Sequence, residues 1–238
     1  MLKNKILAAE LNLNYDFELM TQEILNCQSH WRYMPPYKWQ LDHPLNHKFN
    51  LAPKEDYDNM DYTNSTQDLS ITKNSMTGGS IFYLTKHCET ERLSYSVTKN
   101  LSSEGWGWRE ELNIPYTKRY IESLPYKKIG LVRVFVFKDT FLPVHKDYGF
   151  SESKGHSEEY DKCFGLSLIP STGNVPMKIW STKLNKVVEV SGNAMLFNDS
   201  VWHAVPKTTG YRITIRVFGE VDYESFAENV VADNAYFL

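Results

Sequence analysis

The chain has 238 residues, enough for one sizeable core, and its 42% hydrophobic content is that of an ordinary globular protein. Its net charge of -3 favours neither nucleic acid nor an anionic membrane surface as a partner. The sequence contains no membrane-spanning stretch, no signal-peptide pattern and no disulfide framework among its cysteines, so we expect a cytoplasmic protein.

The first half of the chain predicts two helices among loops and short strands. One helix is predicted over 15–29, where apolar residues recur at helical spacing. A second is predicted over 115–123, between a proline that can open a helix and one that ends it. Residues 30–75 are polar and rich in proline and aromatic residues, which indicates mostly loop. We therefore expect residues 1–126 to pack around a core that the later residues form.

The second half of the chain is dense in short strands separated by turn residues. The candidate strands are 129–138, 163–169, 177–181, 186–190, 194–198 and 211–218. This spacing is typical of a sandwich or jelly roll and not of parallel β/α units. The expected fold is mainly β with flanking helices, in a single domain whose core, a sandwich or jelly roll, begins near residue 127 and includes all six candidate strands. Residues 222–238 are expected to form a tail.

A possible metal site follows the first of these strands, in the stretch VHKDYGF. His145 and Asp147 lie on the same side of an extended segment, because side chains alternate along a strand. His203 follows a later strand in the same way. Two histidines and a carboxylate form the facial triad that leaves three positions of a non-haem Fe(II) open. The same spacing occurs in two other pairs, which stay open as alternatives: His87 with Glu89, and His156 with Glu158.

A possible anion site lies in the last candidate strand, YRITIRVF. By alternation, Arg212, Thr214 and Arg216 share one face, and apolar residues occupy the other. Arginines are costly in an apolar core, but a guanidinium can bind a carboxylate through two hydrogen bonds. The face therefore predicts an anion-binding surface. An edge strand with one solvated face has the same pattern and stays open as an alternative.

Together the His-x-Asp pair, the distal histidine and the Arg-x-Thr pattern that follows it resemble the Fe(II)/2-oxoglutarate-dependent dioxygenases. Residues 127–221 are similar in particular to the aspartyl/asparaginyl β-hydroxylase and proline hydroxylase branch. The resemblance implies a double-stranded β-helix that holds Fe(II) on His145, Asp147 and His203.

The resemblance also implies how the co-substrates bind. The far carboxylate of 2-oxoglutarate is expected on Arg212 and Thr214, with Arg216 as the alternative anchor. Arg133 is a candidate partner for the carboxylate at the other end. O2 is the second co-substrate, and ascorbate is expected to stimulate turnover. Asp147 favours hydroxylation or desaturation over halogenation, since related halogenases lack this carboxylate.

The expected substrate is small and polar, and the branch resemblance points to an amino acid, free or within a peptide. Its contacts are expected from three loops, at 72–80, 102–110 and 148–160. The sequence leaves the oligomeric state open, as it does the choice between hydroxylation and desaturation.

Two other functions fit parts of the pattern. A nucleic-acid demethylase of the same superfamily also carries paired arginines after the distal histidine, but this chain has no basic stripe beyond 118–119 and 127–128. A cupin-type isomerase or ligand sensor would use the metal site without oxygenase chemistry. Succinate formation from 2-oxoglutarate distinguishes an oxygenase from either of these cupin-type proteins.

Overall fold

The computed structural model describes residues 6–60, 62, 78–88, 105–146, 164–171, 175–198 and 201–237. Within these ranges the chain is mainly β, and every strand pair is antiparallel. No helix in the described ranges has the length and apolarity to cross a membrane.

Two sheets form the body of the fold. In spatial order, the larger sheet contains β14 (Val230–Phe237), β1 (Ile6–Leu11), β11 (Ala194–Asn198), β8 (Phe164–Leu168), β13 (Tyr211–Val221), β6 (Tyr126–Lys138), β3 (Gly78–Tyr83) and β2 (Arg32–Met34). The smaller sheet contains β10 (Lys186–Val190), β9 (Met177–Ser181), β12 (His203–Val205) and β7 (Leu142–His145). A separate ribbon pairs β4 (Thr85–His87) with β5 (Trp106–Trp108).

The order of the strands identifies a jelly roll. From β6 onward the chain crosses repeatedly between the sheets: β6, β8, β11 and β13 lie in the larger sheet, and β7, β9, β10 and β12 in the smaller one. This crossing pattern buries a common interior between two antiparallel layers. The predicted fold class, mainly β with flanking helices around a jelly-roll core, is confirmed.

Short helices surround the sheets. They are α1 (Phe17–Asn26), α2 (Lys38–Leu41), α3 (Asn46–Phe49), α4 (Lys54–Asp58), α5 (Pro115–Glu122) and α6 (Tyr223–Ala227). The helix predicted over 115–123 is confirmed as α5. The helix predicted over 15–29 is shorter, because α1 gives way to a 3-10 turn at Gln28–His30. Asp16 caps its N-terminus, since the Asp16 carboxylate accepts a hydrogen bond from the backbone N–H of Leu19.

The larger sheet extends beyond the residues expected to form the core. The segment expected as a tail forms α6 and β14. Strand β14 pairs with β1, a strand that we did not predict. The residues of β1, ILAAEL, are mostly good helix formers, so their local preference does not indicate a strand. Pairing with β11 and β14 overrides that preference.

The main apolar core lies on the outer side of the larger sheet. One buried cluster joins the outward residues of β6 and β13 with residues of α1 and α5, among them Met20, Ile24, Ile121, Val134 and Ile215. The opposite face of the larger sheet, together with the smaller sheet, borders a cavity. The helices therefore stabilise the sheet from outside and leave its inner face available for a site.

Candidate functional site

A cavity of about 220 Å³ lies between the two sheets. Residues of both sheets line it, and so does the segment 34–40 that leads from β2 into α2. Of the residues predicted for the site, the ones that line this cavity are His145, His203, Arg212, Thr214, Arg216 and the candidate Arg133. Asp147 lies outside the described residues.

The two histidines come together across neighbouring strands of the smaller sheet. His145 ends β7 and His203 begins β12, and their Cα atoms are direct partners in the antiparallel register. Their rings lie 4.2 Å apart between centroids. Both side chains are buried. The strand pairing thus brings together two imidazoles that are far apart in the sequence.

Backbone carbonyl groups orient both rings. The Nδ1 atom of His145 lies 2.8 Å from the carbonyl oxygen of Pro143, and that of His203 lies 2.9 Å from the carbonyl oxygen of Val201. A carbonyl oxygen can only accept, so each Nδ1 donates its proton. The Nε2 atom of each ring then carries the lone pair that binds a metal, the arrangement usual for metal-ligating histidines. The pair therefore fits two positions of a divalent metal site.

The third ligand of such a site must come from elsewhere in the chain. Within the described ranges, no three histidine, cysteine, aspartate or glutamate side chains lie close enough to hold a metal. Asp147 stands two positions after His145 and remains the predicted carboxylate.

The two alternative His-x-Glu pairs receive no support from the described residues. His87 is buried in the β4–β5 ribbon, with its ring 5.2 Å from that of Trp106, and it does not line the cavity. Glu89, His156 and Glu158 lie outside the described residues.

Strand β13 brings the predicted anion-binding residues to the opposite wall. It lies between β8 and β6 inside the larger sheet, so the edge-strand alternative is wrong. Arg212 and Arg216 are 1% and 4% exposed. A buried guanidinium without a polar partner is strongly unfavourable, so we expect each of these charges to interact with polar groups.

Arg212 is held by the backbone of a neighbouring segment. Its Nη1 atom donates a hydrogen bond of 2.6 Å to the carbonyl oxygen of Val175. Burial lowers the pKa of Arg212 to about 10. This value is still above neutral pH, so the side chain stays a cation and can bind a carboxylate. The next inward residue of the strand, Thr214, lines the same cavity and offers a hydroxyl group.

Arg216 lies beside a third buried arginine. Its Cα partner on β6 is Arg133, and both side chains are buried and line the cavity. The guanidinium carbon of Arg216 lies 4.2 Å from the ring centroid of Phe197. The same ring lies 5.1 Å from that of His203. Phe197 therefore links the Arg216 side chain to the histidine pair.

The segment 34–40 forms a wall that the sequence analysis missed. Met34, Pro35, Pro36, Tyr37, Trp39 and Gln40 all line the cavity. The rings of Tyr37 and Trp39 stack with centroids 6.2 Å apart, and Trp39 is 47% exposed. The density of proline and aromatic residues in this stretch was visible in the sequence, but only the packing shows that it faces the site.

The loops predicted to surround the site have different outcomes. From 72–80, Gly79 lines the cavity from β3. From 102–110, the described residues 105–110 lie elsewhere, in and after the β4–β5 ribbon, and none lines the cavity. The segment 148–160 lies outside the described residues.

Comparison with known proteins gives similarity at the level of structure. No family model and no curated protein matches the sequence. An oxidoreductase of the 2OG-Fe(II) oxygenase family from Burkholderia pseudomallei is 10% identical, with a TM-score of 0.36, over 88% of this chain and 94% of that one. A prolyl-4-hydroxylase from Pseudomonas putida is 10% identical, with a TM-score of 0.37, over 90% and 91%.

A prolyl hydroxylase from Trichoplax adhaerens, solved with a peptide of hypoxia inducible factor, is 13% identical, with a TM-score of 0.35, over 90% of this chain and 97% of that one. At such TM-scores these likenesses carry no argument about this chain, so the role of each residue has to come from the site itself.

Proposed function

We propose that the protein is a non-haem Fe(II)/2-oxoglutarate-dependent oxygenase that hydroxylates a C–H bond of a small polar substrate, an amino acid that is free or within a peptide. The observation that carries this proposal is the shared cavity. One wall of the cavity carries His145 and His203, which are Cα partners on adjacent strands. The opposite wall carries the buried Arg212 and, two residues later on the same face, Thr214.

In this proposal, His145 and His203 bind the metal through Nε2, and Asp147 supplies the carboxylate. The carbonyl groups of Pro143 and Val201 hold both rings in the tautomer that the metal requires. When bound, the iron supplies the oxidation, in which O2 and 2-oxoglutarate give succinate and CO2 while a substrate C–H bond becomes C–OH.

Arg212 and Thr214 bind and orient 2-oxoglutarate in this proposal. A charged hydrogen bond is worth about 1.5–3 kcal/mol, and burial strengthens it because the local dielectric is low. The bond to Val175 fixes the guanidinium in advance, so little entropy is lost when the carboxylate binds. The apolar walls exclude water from the reacting groups.

Succinate production tests the proposal. The protein is incubated with Fe(II), ascorbate, 2-oxoglutarate and air, against pools of the common L-amino acids and short peptides. We expect succinate to rise with one pool and to disappear in His145→Ala. His47→Ala, an exposed histidine of α3, is the matched control and should behave as wild type. The absence of succinate in every pool, together with no binding of 2-oxoglutarate, would contradict the proposal and leave a metal-binding sensor or isomerase.

A further inference from the structure

We propose that Arg133 and Arg216 form a second anion-binding position in the cavity, one that binds the carboxylate of a small free-acid substrate. This inference rests on the oxygenase function proposed above and narrows its substrate to molecules that carry a carboxylate of their own. Four features of the structure support it: the strand register, the buried hydroxyl group of Ser167, the packing around the two guanidinium groups, and the distance from Arg212.

The strand register lines up three donors on adjacent strands of the larger sheet. On β13, Arg216 is the direct Cα partner of Arg133 on β6 and of Ser167 on β8. All three line the cavity and are at most 4% exposed. Two guanidinium groups and a hydroxyl group that line one part of the cavity offer several N–H and O–H donors to the oxygen atoms of a carboxylate.

Ser167 supplies an independent indication of a ligand. Its hydroxyl group is buried and has no hydrogen-bond partner in the described part of the chain. A buried polar atom left in this way costs free energy, so such atoms in proteins usually mark the place of a water, an ion or a ligand. Ser167 faces the cavity beside Arg216, so its hydroxyl group can donate a hydrogen bond to a carboxylate that the arginine binds.

The packing holds the guanidinium groups at the wall of the cavity. The guanidinium carbon of Arg133 lies 4.9 Å from the ring centroid of Phe135, and that of Arg216 lies 4.2 Å from the centroid of Phe197. A guanidinium that contacts a ring through its face still presents its N–H donors in its own plane. Gly165 leaves room for the guanidinium group of Arg216, since a Cβ at this position would lie 2.5 Å from Nη2 of Arg216.

The position is distinct from Arg212 and Thr214, which are proposed to bind 2-oxoglutarate, and it assigns Arg133 to the substrate and not to the second carboxylate of 2-oxoglutarate. Arg216 follows Arg212 by four residues on the same strand, which separates their Cα atoms by about 13 Å. The ring of Phe197 contacts both Arg216 and His203, so a carboxylate at the second position lies on the histidine side of the cavity. A substrate anchored there presents its carbon atoms to the proposed metal site.

The test compares acids with amides that have the same side chain. Each common L-amino acid and its carboxamide is added to the wild-type protein with Fe(II), 2-oxoglutarate and air, and kcat/KM is taken from succinate formation. We expect the acid to be preferred over its amide by more than about 100-fold, because the amide lacks the negative charge that the two guanidinium groups are proposed to bind. The preference should fall below about 10-fold in both Arg133→Gln and Arg216→Gln.

Two further variants keep the test informative if an arginine variant fails to fold. Gly165→Ala retains both arginines but places a methyl group where the Arg216 guanidinium lies, and it should also reduce the preference for acids. Arg119→Gln removes an exposed arginine of α5 and should leave the preference unchanged. Binding of acids and amides without O2, followed by tryptophan fluorescence, measures the same preference independently of turnover.

The outcomes separate this inference from the proposed function. Succinate formation that rises equally with acids and amides overturns the second position and leaves the oxygenase standing. A higher Kd for 2-oxoglutarate in both arginine variants, with an unchanged preference for acids, assigns the pair to the co-substrate and also overturns it. The absence of succinate in every mixture, together with no binding of 2-oxoglutarate, overturns the oxygenase and the inference together.

Discussion

The two faces of strand β13 have different roles: one packs in the apolar core, and the other borders the cavity. The outward side chains, Ile213, Ile215 and Val217, are fully buried in the apolar core against the helices. The inward side chains, Arg212 and Arg216 among them, border the cavity. A buried strand can therefore carry charged side chains on one face, because the apolar side chains on its other face offset the free energy that burying those charges costs.

The magnitudes agree with this division. Burying an isoleucine or valine side chain contributes about 1.5–3 kcal/mol each, whereas burying a charge costs several kcal/mol unless it gains partners. Strand β13 also pairs on both edges, with β6 along most of its length and with β8 at Ile215–Val217. Substitutions on the outward face should therefore reduce stability, and substitutions on the inward face should reduce ligand binding.

The largest effect is expected on the outward face. Ile215→Ala removes a fully buried side chain and should lower the free energy of unfolding by about 2–5 kcal/mol. Urea denaturation measures this change. Leu184→Ala, in an exposed turn, is the control and should change stability by less than about 0.5 kcal/mol. Equal losses in the two variants would show that the outward face does not hold the strand.

The next effect is expected in the smaller sheet, at the wall opposite the arginines. His203→Ala should weaken binding of Fe(II) or Co(II) by more than about 100-fold, since loss of even an outer partner of a ligand costs 10–100-fold. Calorimetric titration without O2 measures the affinity. His47→Ala, which removes an exposed imidazole, should bind the metal as wild type. A metal affinity unchanged in His203→Ala would contradict the histidine assignment.

A smaller effect is expected on the inward face of β13. Arg212→Lys keeps the charge but removes the planar pair of donors, so the Kd of 2-oxoglutarate should rise by about 10- to 100-fold. Fluorescence titration without O2 measures it, with Arg32→Lys on the exposed side of β2 as the control. An unchanged Kd would remove Arg212 from the binding site and direct attention to Arg216, the alternative anchor.

The smallest effect is expected where α1 contacts α5, on the outward side of the larger sheet. The buried carboxylate of Glu23 on α1 accepts hydrogen bonds of 2.8 Å from the backbone N–H groups of Tyr116 and Thr117 in the first turn of α5. Glu23→Gln removes the charge and should cost about 1–2 kcal/mol of stability, the size of a lost helix cap. Glu122→Gln at the exposed end of α5 is the control. Thermal unfolding should show a lower Tm only for Glu23→Gln.

The sequence predicted the strands of the core better than the elements around it. The alternation in YRITIRVF placed Arg212, Thr214 and Arg216 on one face correctly, because a side-chain period of two is a local property. The same reasoning could not find β1, since its alanine and leucine residues favour a helix. Nor could it find the short helices within 30–75, each a single turn or little more.

The candidate site was predictable only in part, because local periodicity does not show which distant residues meet. The pattern singled out His145 and His203 but could not show that they are Cα partners on adjacent strands. It named Arg133 as a candidate without placing it opposite Arg216. The wall at 34–40 carried a visible excess of proline and aromatic residues, yet nothing in the sequence indicated which surface those residues cover.

By itself, then, the sequence determined which side chains share a face and where strands and turns alternate, since both depend on neighbours a few residues apart. The tertiary structure alone decided that β13 lies inside the sheet, that two distant histidines meet, and that a third arginine joins the cavity. These facts depend on strand order and register. Pairings between residues far apart in the chain set both, and local periodicity contains no information about them.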